Sequence, residues 1–292
     1  MYYGRLSIKY SIVSPLINNM GGYPGNRYVT KFDGVNDYLQ LGHATNLEFS
    51  QAHITNIGFT ITGWIWLAGL GLENQSMPWV NIGRENTSNY YGIQCNLSLG
   101  RPQVSVMGLN SGYAGGGGNN RRTCKTNTAL TRNIWNHVAW VVKGFSVSDF
   151  ASNTKIYVNG VSQALTFTGL NAALTVNYSG DSFIGMNGNS SPGYIIPSTL
   201  GDITVHAKEL SASVISNVYA SNNDGIDWMV PVGAYTAADA STLKSWWQMG
   251  SPTGPATYPV IYDEMLLAGG TGYNATMVNM TSSDLFPAGL WG

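Results

Sequence analysis

Acidic residues are the first group in this sequence whose chemistry can be judged, because paired carboxylates can hydrolyse a glycosidic bond. A retaining mechanism needs two carboxyl groups about 5 Å apart, one as the nucleophile and one as the acid. No two of the five glutamates lie within ten residues of each other: Glu48, Glu73, Glu85, Glu209 and Glu264. The close acidic pairs lie in turn-like sequence: Asp33/Asp37, Asp224/Asp227 and Asp263/Glu264. The acids therefore do not predict a hydrolase.

Nucleophilic catalysis is not indicated by the remaining residues either. A serine or cysteine nucleophile needs a histidine and a third group that orients it. The four histidines lie in unlike contexts, and the one at position 137 is within a predicted strand, where a hydrogen-bonded core histidine is the commoner case. Cys95 and Cys124 match neither a zinc pattern nor a disulfide framework, and a buried free thiol is expected at Cys95. We therefore predict that the protein is not an enzyme.

Oxygen-bearing side chains are grouped in one predicted turn, which contains Asp33, Asn36 and Asp37. Calcium takes six to eight oxygen ligands, commonly from Asp, Asn and backbone carbonyls. The turn could provide a few of these ligands. Asp and Asn in such a turn also often satisfy only the local backbone. Calcium is thus a possible cofactor, and the sequence indicates no other.

Aromatic residues lie in or beside predicted polar loops at four positions: Trp79, Tyr90, Tyr91 and Tyr113. Asn119 and Asn120 follow in the same glycine-rich loop as Tyr113. An aromatic side chain in a polar loop has no core to fill, so exposure for binding is expected, and amide groups beside it suit a glycan. The same residues could instead pack between subunits, which we favour slightly over glycan binding.

The composition is that of a strand-and-turn protein with few charges. Only 10% of the 292 residues are charged, and the formal net charge is −1. Phosphate binding needs clustered Lys and Arg, so nucleic acid is not expected as a partner. No run of about 18 apolar residues predicts a membrane span, and the N-terminus lacks the features of a secretory signal. Low charge suits a multimeric assembly or a neutral soluble monomer.

The predicted elements are strands of alternating polarity, separated by glycine or polar turns about every ten residues. This spacing is typical of a β-sandwich or jelly roll. In the segment Trp135–Val142, Val138, Trp140 and Val142 share one face, while the other face is hardly polar. Such a strand should lie in the middle of a sheet, with cover on both faces.

A tight hairpin is predicted at Asn159-Gly160, because both residues tolerate positive φ. The returning strand is expected to carry Val161, Leu165 and Phe167 on one apolar face. One helix is predicted, capped by Ser211, with a single apolar face: Val214, Ile215, Val218 and Tyr219.

The order of these pieces resembles the concanavalin A-like, laminin-G-like β-sandwich family. The segments that carry the resemblance are KFDGVNDYLQLG, FTITGWIWL, WNHVAWVV, KIYVNG, FIGMNG and GDITVHAKELSASVISNVY, within residues 28 to 221. The resemblance implies an all-β jelly-roll sandwich of two antiparallel sheets with one short helix. It also implies that Asp202, on the strand before the helix, could join a calcium site at the rim. Glucanases of this fold carry an E-x-D-x-E strand, which this sequence lacks.

The two ends of the chain differ from the sandwich. Residues 1–26 are rich in Tyr and Ile and end in a Pro/Gly-rich joint, so we expect an arm that docks on a neighbouring subunit or a strand of the domain. Residues 222–292 resemble a segment that accompanies such sandwiches in tailed-phage virion proteins, through Trp246-Trp247, Asp263 and Met277. We expect this segment to pack on the sandwich of residues 27–221 and to cover the Trp135–Val142 strand.

Together these features predict a non-enzymatic virion structural protein, a capsid decoration or a fibre or spike, with the sandwich exposed for adhesion. Its expected partners are copies of itself, other virion proteins and a cell-surface glycan. Its expected place is the virion surface, after assembly in the host cytoplasm. A soluble carbohydrate-binding lectin is the alternative, and a polysaccharide hydrolase is the third candidate.

Overall fold

A computed structural model describes residues 28–68, 76–83, 92–108, 121–168, 175–176, 178, 180–186, 197–221, 227–249 and 258–287. The predicted N-terminal arm lies outside these residues. The described residues form two antiparallel sheets with short helices, which confirms the predicted fold class. Strands β1 to β9 are Tyr28–Asp33, Tyr38–Gly42, Phe59–Leu67, Ser76–Ile82, Gly92–Ser98, Arg101–Met107, Arg121–Thr126, Trp135–Val142 and Lys155–Val158. Strands β10 to β17 are Val161–Ser162, Leu165–Thr168, Ser182–Ile184, Pro197–His206, Leu243–Trp247, Val260–Ile261, Ala275–Val278 and Leu285–Pro287.

The helices are short and lie between strands. Their bounds are α1 Gln51–Asn56, α2 Val147–Asn153, α3 Ala212–Ser221, α4 Ala237–Ala240 and α5 Glu264–Leu267. Helix α3 is the predicted one: the hydroxyl of Ser211 accepts a hydrogen bond from the backbone N–H of Val214, and the predicted apolar positions face inward. Within the described residues, no helix has the length and apolar character needed to cross a membrane.

One sheet has eight strands, in the order β10-β9-β8-β3-β13-β1-β17, with β14 also paired to β13. Strand β8 lies between β9 and β3, and all eight of its residues are buried. The prediction of a central strand covered on both faces is therefore confirmed. Trp140 packs in the main core, against Trp79 at a ring-centroid distance of 4.7 Å.

The outer face of the eight-stranded sheet is covered by a second apolar cluster. Ala139 and Val141 of β8 meet Leu210 and helix α3 there, together with Trp228 and Tyr235 from the segment after the helix. The cover thus comes from the helix as well as from residues beyond 221. These later residues also extend both sheets, because β14 pairs with β13, β17 with β1 and β16 with β2.

The Asn159-Gly160 hairpin is confirmed, but the strand after it differs from the prediction. Asn159 and Gly160 have φ of 51° and 76°, the left-handed conformation of a type I′ turn. Val161 and Ser162 pair back with β9, and the backbone N–H of Gln163 donates to the carbonyl of Ile156. Residues Leu165–Thr168 then pair with β7 in the other sheet. Val161 therefore does not share one apolar face with Leu165 and Phe167, and it is 63% exposed. The alternation in the sequence continues across the change of sheet and gives no sign of it.

The other sheet has nine strands, in the order β11-β7-β6-β5-β4-β12-β2-β16-β15. Its inner face supplies the core with residues such as Leu39, Ile93, Cys95 and Val104. Cys95 and Cys124 are both free and buried, on strands that flank β6. The outer face, turned away from the core, carries the polar residues described next.

Candidate functional site

The predicted calcium ligands do not come together. In the turn after β1, Oδ1 of Asp33 accepts hydrogen bonds from the backbone N–H groups of Val35 (2.7 Å) and Asn36 (3.2 Å). Asp37 is buried, and its Oδ2 accepts from the backbone N–H of Asp33 at 2.9 Å. Burial, together with the neighbouring carboxylates of Asp33 and Asp284, raises the pKa of Asp37 to about 6. Both carboxylates therefore accept hydrogen bonds from the backbone of this turn.

Asp202 lies far from that turn. Asp33 pairs with Pro197 on β13, and Asp202 is five residues further along the same strand, which corresponds to about 16 Å. The carboxylate of Asp202 is buried and accepts hydrogen bonds from the indole N–H groups of Trp228 and Trp246. Among the described residues, no three His, Cys, Asp or Glu side chains are placed to hold a metal ion.

The predicted aromatic and amide candidates divide into two groups. Trp79 is not in an exposed loop but in strand β4, where it is fully buried against Trp140. The strand has an irregularity between Pro78 and Val80, so both Trp79 and Val80 face the core. The others lie outside the described residues: Tyr90, Tyr91, Tyr113, Asn119 and Asn120.

A row of polar side chains that was not predicted from the sequence crosses the outer face of the nine-stranded sheet. Asn81, Gln94, Ser105 and Thr123 are direct neighbours on β4, β5, β6 and β7. The hydroxyls of Ser105 and Thr123 lie 2.9 Å apart, and the amide of Asn81 donates to the carbonyl of Met186. All four residues are buried, so the middle of this face is a polar layer that is shielded from solvent. The signal available in the sequence was the period-two alternation of these polar residues with core residues such as Ile93.

One end of the same face carries a set of groups that we name the Tyr38 patch: Tyr38, Gln40 and Asp181, which are half-buried, Thr276, which is exposed, and Phe183, which is buried with 8% of its surface exposed. The rings of Tyr38 and Phe183 meet edge to face at 5.9 Å. The amide of Gln40 donates to Oδ2 of Asp181 at 2.8 Å, and Thr276 is the cross-strand neighbour of Gln40. Phe183 packs in none of the core clusters, because it lies on the face opposite Ile184.

The Tyr38 patch combines the groups that bind a sugar. The half-buried ring of Tyr38 offers an apolar face to C–H groups, while an amide, a carboxylate and a hydroxyl can exchange hydrogen bonds with sugar hydroxyls. Tyr38 and Gln40 alternate with the core residues Leu39 and Leu41, so period-two alternation could have placed them on the outer face.

The histidines His137 and His206 and the acid Asp263 are buried in the part of the fold that the structure describes. His137 and His206 are enclosed, and burial lowers the pKa of each to about 3. Among described residues the ring of His137 has no hydrogen-bond partner, in contrast to the expected hydrogen-bonded histidine; it packs against Trp64 and Tyr219. Asp263, from one of the close acidic pairs, is fully buried and accepts hydrogen bonds from the backbone N–H groups of Trp246, Met265 and Tyr273.

The comparisons with known proteins agree with this fold. A laminin-G-type family model, described as the concanavalin A-like lectin/glucanases superfamily, matches residues 33–216. A candidate carbohydrate-binding protein from Bacteroides ovatus has a similar structure, with a TM-score of 0.53 and 15% identity, over 88% of this chain and 59% of its own.

Other solved structures match less of the fold. The botulinum neurotoxin serotype G binding domain has a TM-score of 0.41 and 15% identity, over 56% of this chain and 36% of its own. A heptameric pentraxin from Limulus polyphemus has a TM-score of 0.38 and 12% identity, over 70% of this chain and 82% of its own. This chain thus spans less than two thirds of the first two proteins. No curated protein sequence matches it.

Proposed function

We propose that this chain, which belongs to the concanavalin A-like lectin/glucanases superfamily, is a non-enzymatic carbohydrate-binding module. The Tyr38 patch is the observation that carries the proposal, because it places the half-buried ring of Tyr38, packed on the buried ring of Phe183, beside an amide, a carboxylate and a hydroxyl. Gln40 and Thr276 lie on strands of one sheet and Asp181 directly precedes β12, so the sheet holds these polar groups in position without the ligand.

The arrangement of the carboxylates supports binding without catalysis. Retaining hydrolysis needs a pair about 5 Å apart that faces the substrate. In the part of the chain that the structure describes, the Asp33/Asp37 pair is engaged with its own turn and Asp263 with three backbone N–H groups. Asp181 in the Tyr38 patch is bonded to Gln40 and has no second acid as a described hydrogen-bond partner.

We further propose that the module acts on the surface of a virus particle, as a capsid decoration or in a fibre or spike. The support is the resemblance of residues 222–292 to a segment of tailed-phage virion proteins. In this setting the chain would assemble with copies of itself and with other virion proteins, and the arm of residues 1–26 would make the contact. Mass spectrometry and imaging of purified particles test this placement; a soluble lectin would be absent from them.

A glycan array with matched variants tests the binding function. Gln40→Ala removes the amide of the Tyr38 patch, and Tyr38→Ala removes one of its rings. Gln163→Ala is the control, because Gln163 lies in the connection between β10 and β11 and its side-chain amide donates to the local carbonyl of Val161. We expect both patch variants to lose at least about tenfold in affinity and the control to bind as the wild type does. Equal binding by all variants would contradict the site.

Polysaccharide digestion tests the absence of catalysis on the same samples. We expect no release of reducing sugar from any glycan that the protein binds. Release that disappears in an Asp181→Asn variant would identify a hydrolase and overturn the proposal.

A further inference from the structure

The opposite end of the outer face carries a second group of side chains, which we name the cationic strip: Arg101, Gln103, Lys125 and Thr166. Gln103 on β6 is the cross-strand neighbour of Lys125 on β7, and Lys125 is the neighbour of Thr166 on β11. Arg101 lies two residues before Gln103 on the same face, so its Cα is about 7–8 Å diagonally from that of Lys125. Arg101 and Lys125 are half-buried and Thr166 is exposed.

The two cations of the strip have no acidic partner within the described residues. The ion pairs found there join His43 to Glu48, Lys143 to Glu209 and Lys208 to Asp239, all in other parts of the fold. Strands β4, β5, β6, β7 and β11 contain no Asp or Glu. A pair of partly desolvated cations without counter-charge produces a positive potential at this end of the sheet, in a chain whose net charge is −1.

We propose that the cationic strip binds the carboxylate or sulfate groups of an acidic polysaccharide, an inference that rests on the proposed carbohydrate-binding function. Arg101 and Lys125 would pair with two anionic groups along the chain. Gln103, between them, would bind the sugar hydroxyls. The hydroxyl of Thr166 donates to Oδ1 of Asn127 at 2.7 Å, so it offers its lone pairs to a sugar hydroxyl.

A nucleic acid fits this surface less well. Its phosphates follow one another along the strand and need a longer basic track. Arg122, the next arginine on β7, pairs with Val106 on the inner side of the sheet and is buried. Arg121 faces outward but is four residues from Lys125, about 13 Å along the strand. The strip thus offers two neighbouring cations, which suits a polysaccharide that carries one anionic group on each of a few sugars.

The test compares charged and uncharged probes on the intact chain. Binding of polygalacturonate, dextran sulfate and uncharged dextran is measured by calorimetry for the wild type and for an Arg101→Gln/Lys125→Gln variant. A Lys31→Gln/Lys244→Gln variant is the control, because it removes the same charge from the eight-stranded sheet. We expect the strip variant to lose at least about tenfold in affinity for one or both anionic probes, while the control retains it. We also expect wild-type binding to weaken as NaCl rises from about 0.05 to about 0.5 M.

The outcomes separate this inference from the function on which it rests. Binding of neutral glycans that depends on Gln40, with no preference for the anionic probes, would overturn the strip and keep the proposed function. If the protein bound no carbohydrate, charged or neutral, both the cationic strip and the proposed function would be overturned. Tighter binding of a single-stranded oligonucleotide than of either anionic polysaccharide would overturn the assignment of the ligand.

Discussion

Asp202 and Trp246 are joined by a hydrogen bond from the indole Nε1 to the carboxylate Oδ1, at the point where β13 changes its neighbour. Residues before Asp202 pair with β1, and residues after it pair with β14. Asp202 itself has φ of 51° and lies at an irregularity in the pairing with β3. Its other oxygen accepts from Trp228 Nε1 at 3.3 Å, so one buried carboxylate connects the sheet to two residues of the C-terminal segment.

Replacement of Asp202 by Asn should therefore destabilise the fold. The new amide NH2 would face one of the two indole N–H donors, and a charged hydrogen bond would be lost. We expect the free energy of unfolding to fall by about 2–3 kcal/mol. Chemical denaturation measures this, with Asp227→Asn as the control, because the described bond to that side chain comes from the local N–H of Met229. Equal midpoints for the two variants would contradict the role of Asp202.

The ring of Trp140 should be one of the largest single contributions to the core. It is fully buried and meets Trp79 in a T-shaped arrangement with an interplanar angle of 83°. Trp140→Ala should lower the free energy of unfolding by about 3–5 kcal/mol, and Trp140→Phe by less. Because the two rings are in contact, the Trp79→Phe/Trp140→Phe double variant should depart from additivity. A Trp140→Ala variant that melts with the wild type would show that the β8–β4 contact is misplaced.

Leu99 occupies a position where a different residue should be better. Arg101 and Ser98 are paired, so Leu99-Gly100 form a two-residue turn, and their φ values are 57° and 73°. Leucine is unfavourable at positive φ, and Leu99 is 43% exposed, so little packing offsets this cost. We expect Leu99→Asn to raise the free energy of unfolding by about 0.5–1 kcal/mol, as measured by denaturant titration.

Gly160 provides the opposite test for a turn of the same type. A Cβ at this position would lie 3.3 Å from Ser216 and from Tyr219, in addition to the cost of its positive φ. Gly160→Val should lower the free energy of unfolding by about 1 kcal/mol or more. If Leu99→Asn destabilises the protein while Gly160→Val does not, the two turns do not have the conformations described.

The sequence predicted the elements whose residues respond to local burial. Alternation in Trp135–Val142 placed Val138, Trp140 and Val142 on one face, and the structure puts all three in the main core. The change of sheet after Ser162 was missed, because alternation reports which side chains are buried and not which strand is the neighbour. Trp79 was misplaced because the irregularity in β4 puts two consecutive residues on one face.

The Tyr38 patch was missed for a different reason. Its members come from β2, β12 and β16 and from Asp181, and they span positions 38 to 276. Each of them reads as an ordinary outward residue of a strand or turn. Only the pairing of β2 with both β12 and β16 brings them together, and that pairing is set by the whole sheet.

Two buried histidines make the stability of this fold sensitive to acid. His137 lies between Trp64 and Tyr219, and His206 packs against Trp228 and Tyr235. Burial lowers the pKa of both rings from 6.5 to about 3, since it penalises the charged imidazolium. The unfolded chain therefore binds these protons at a higher pH than the folded chain does. Their contribution is fully present above pH 6.5 and is lost as the pH falls towards 3.

Each histidine should reduce the free energy of unfolding by about 1.4 kcal/mol per pH unit within that window. Asp37 acts in the opposite direction between pH 6 and 3.8, because its raised pKa lets the folded state take up a proton first. We expect His137→Phe, which keeps an aromatic ring and removes the proton site, to match the wild type within about 1 kcal/mol at pH 7. At about pH 4.5 it should be more stable by about 2–3 kcal/mol. Denaturant titrations across this pH range test the prediction. If the free energy of unfolding of the two proteins changed equally with pH, His137 would be protonated equally in the folded and unfolded states.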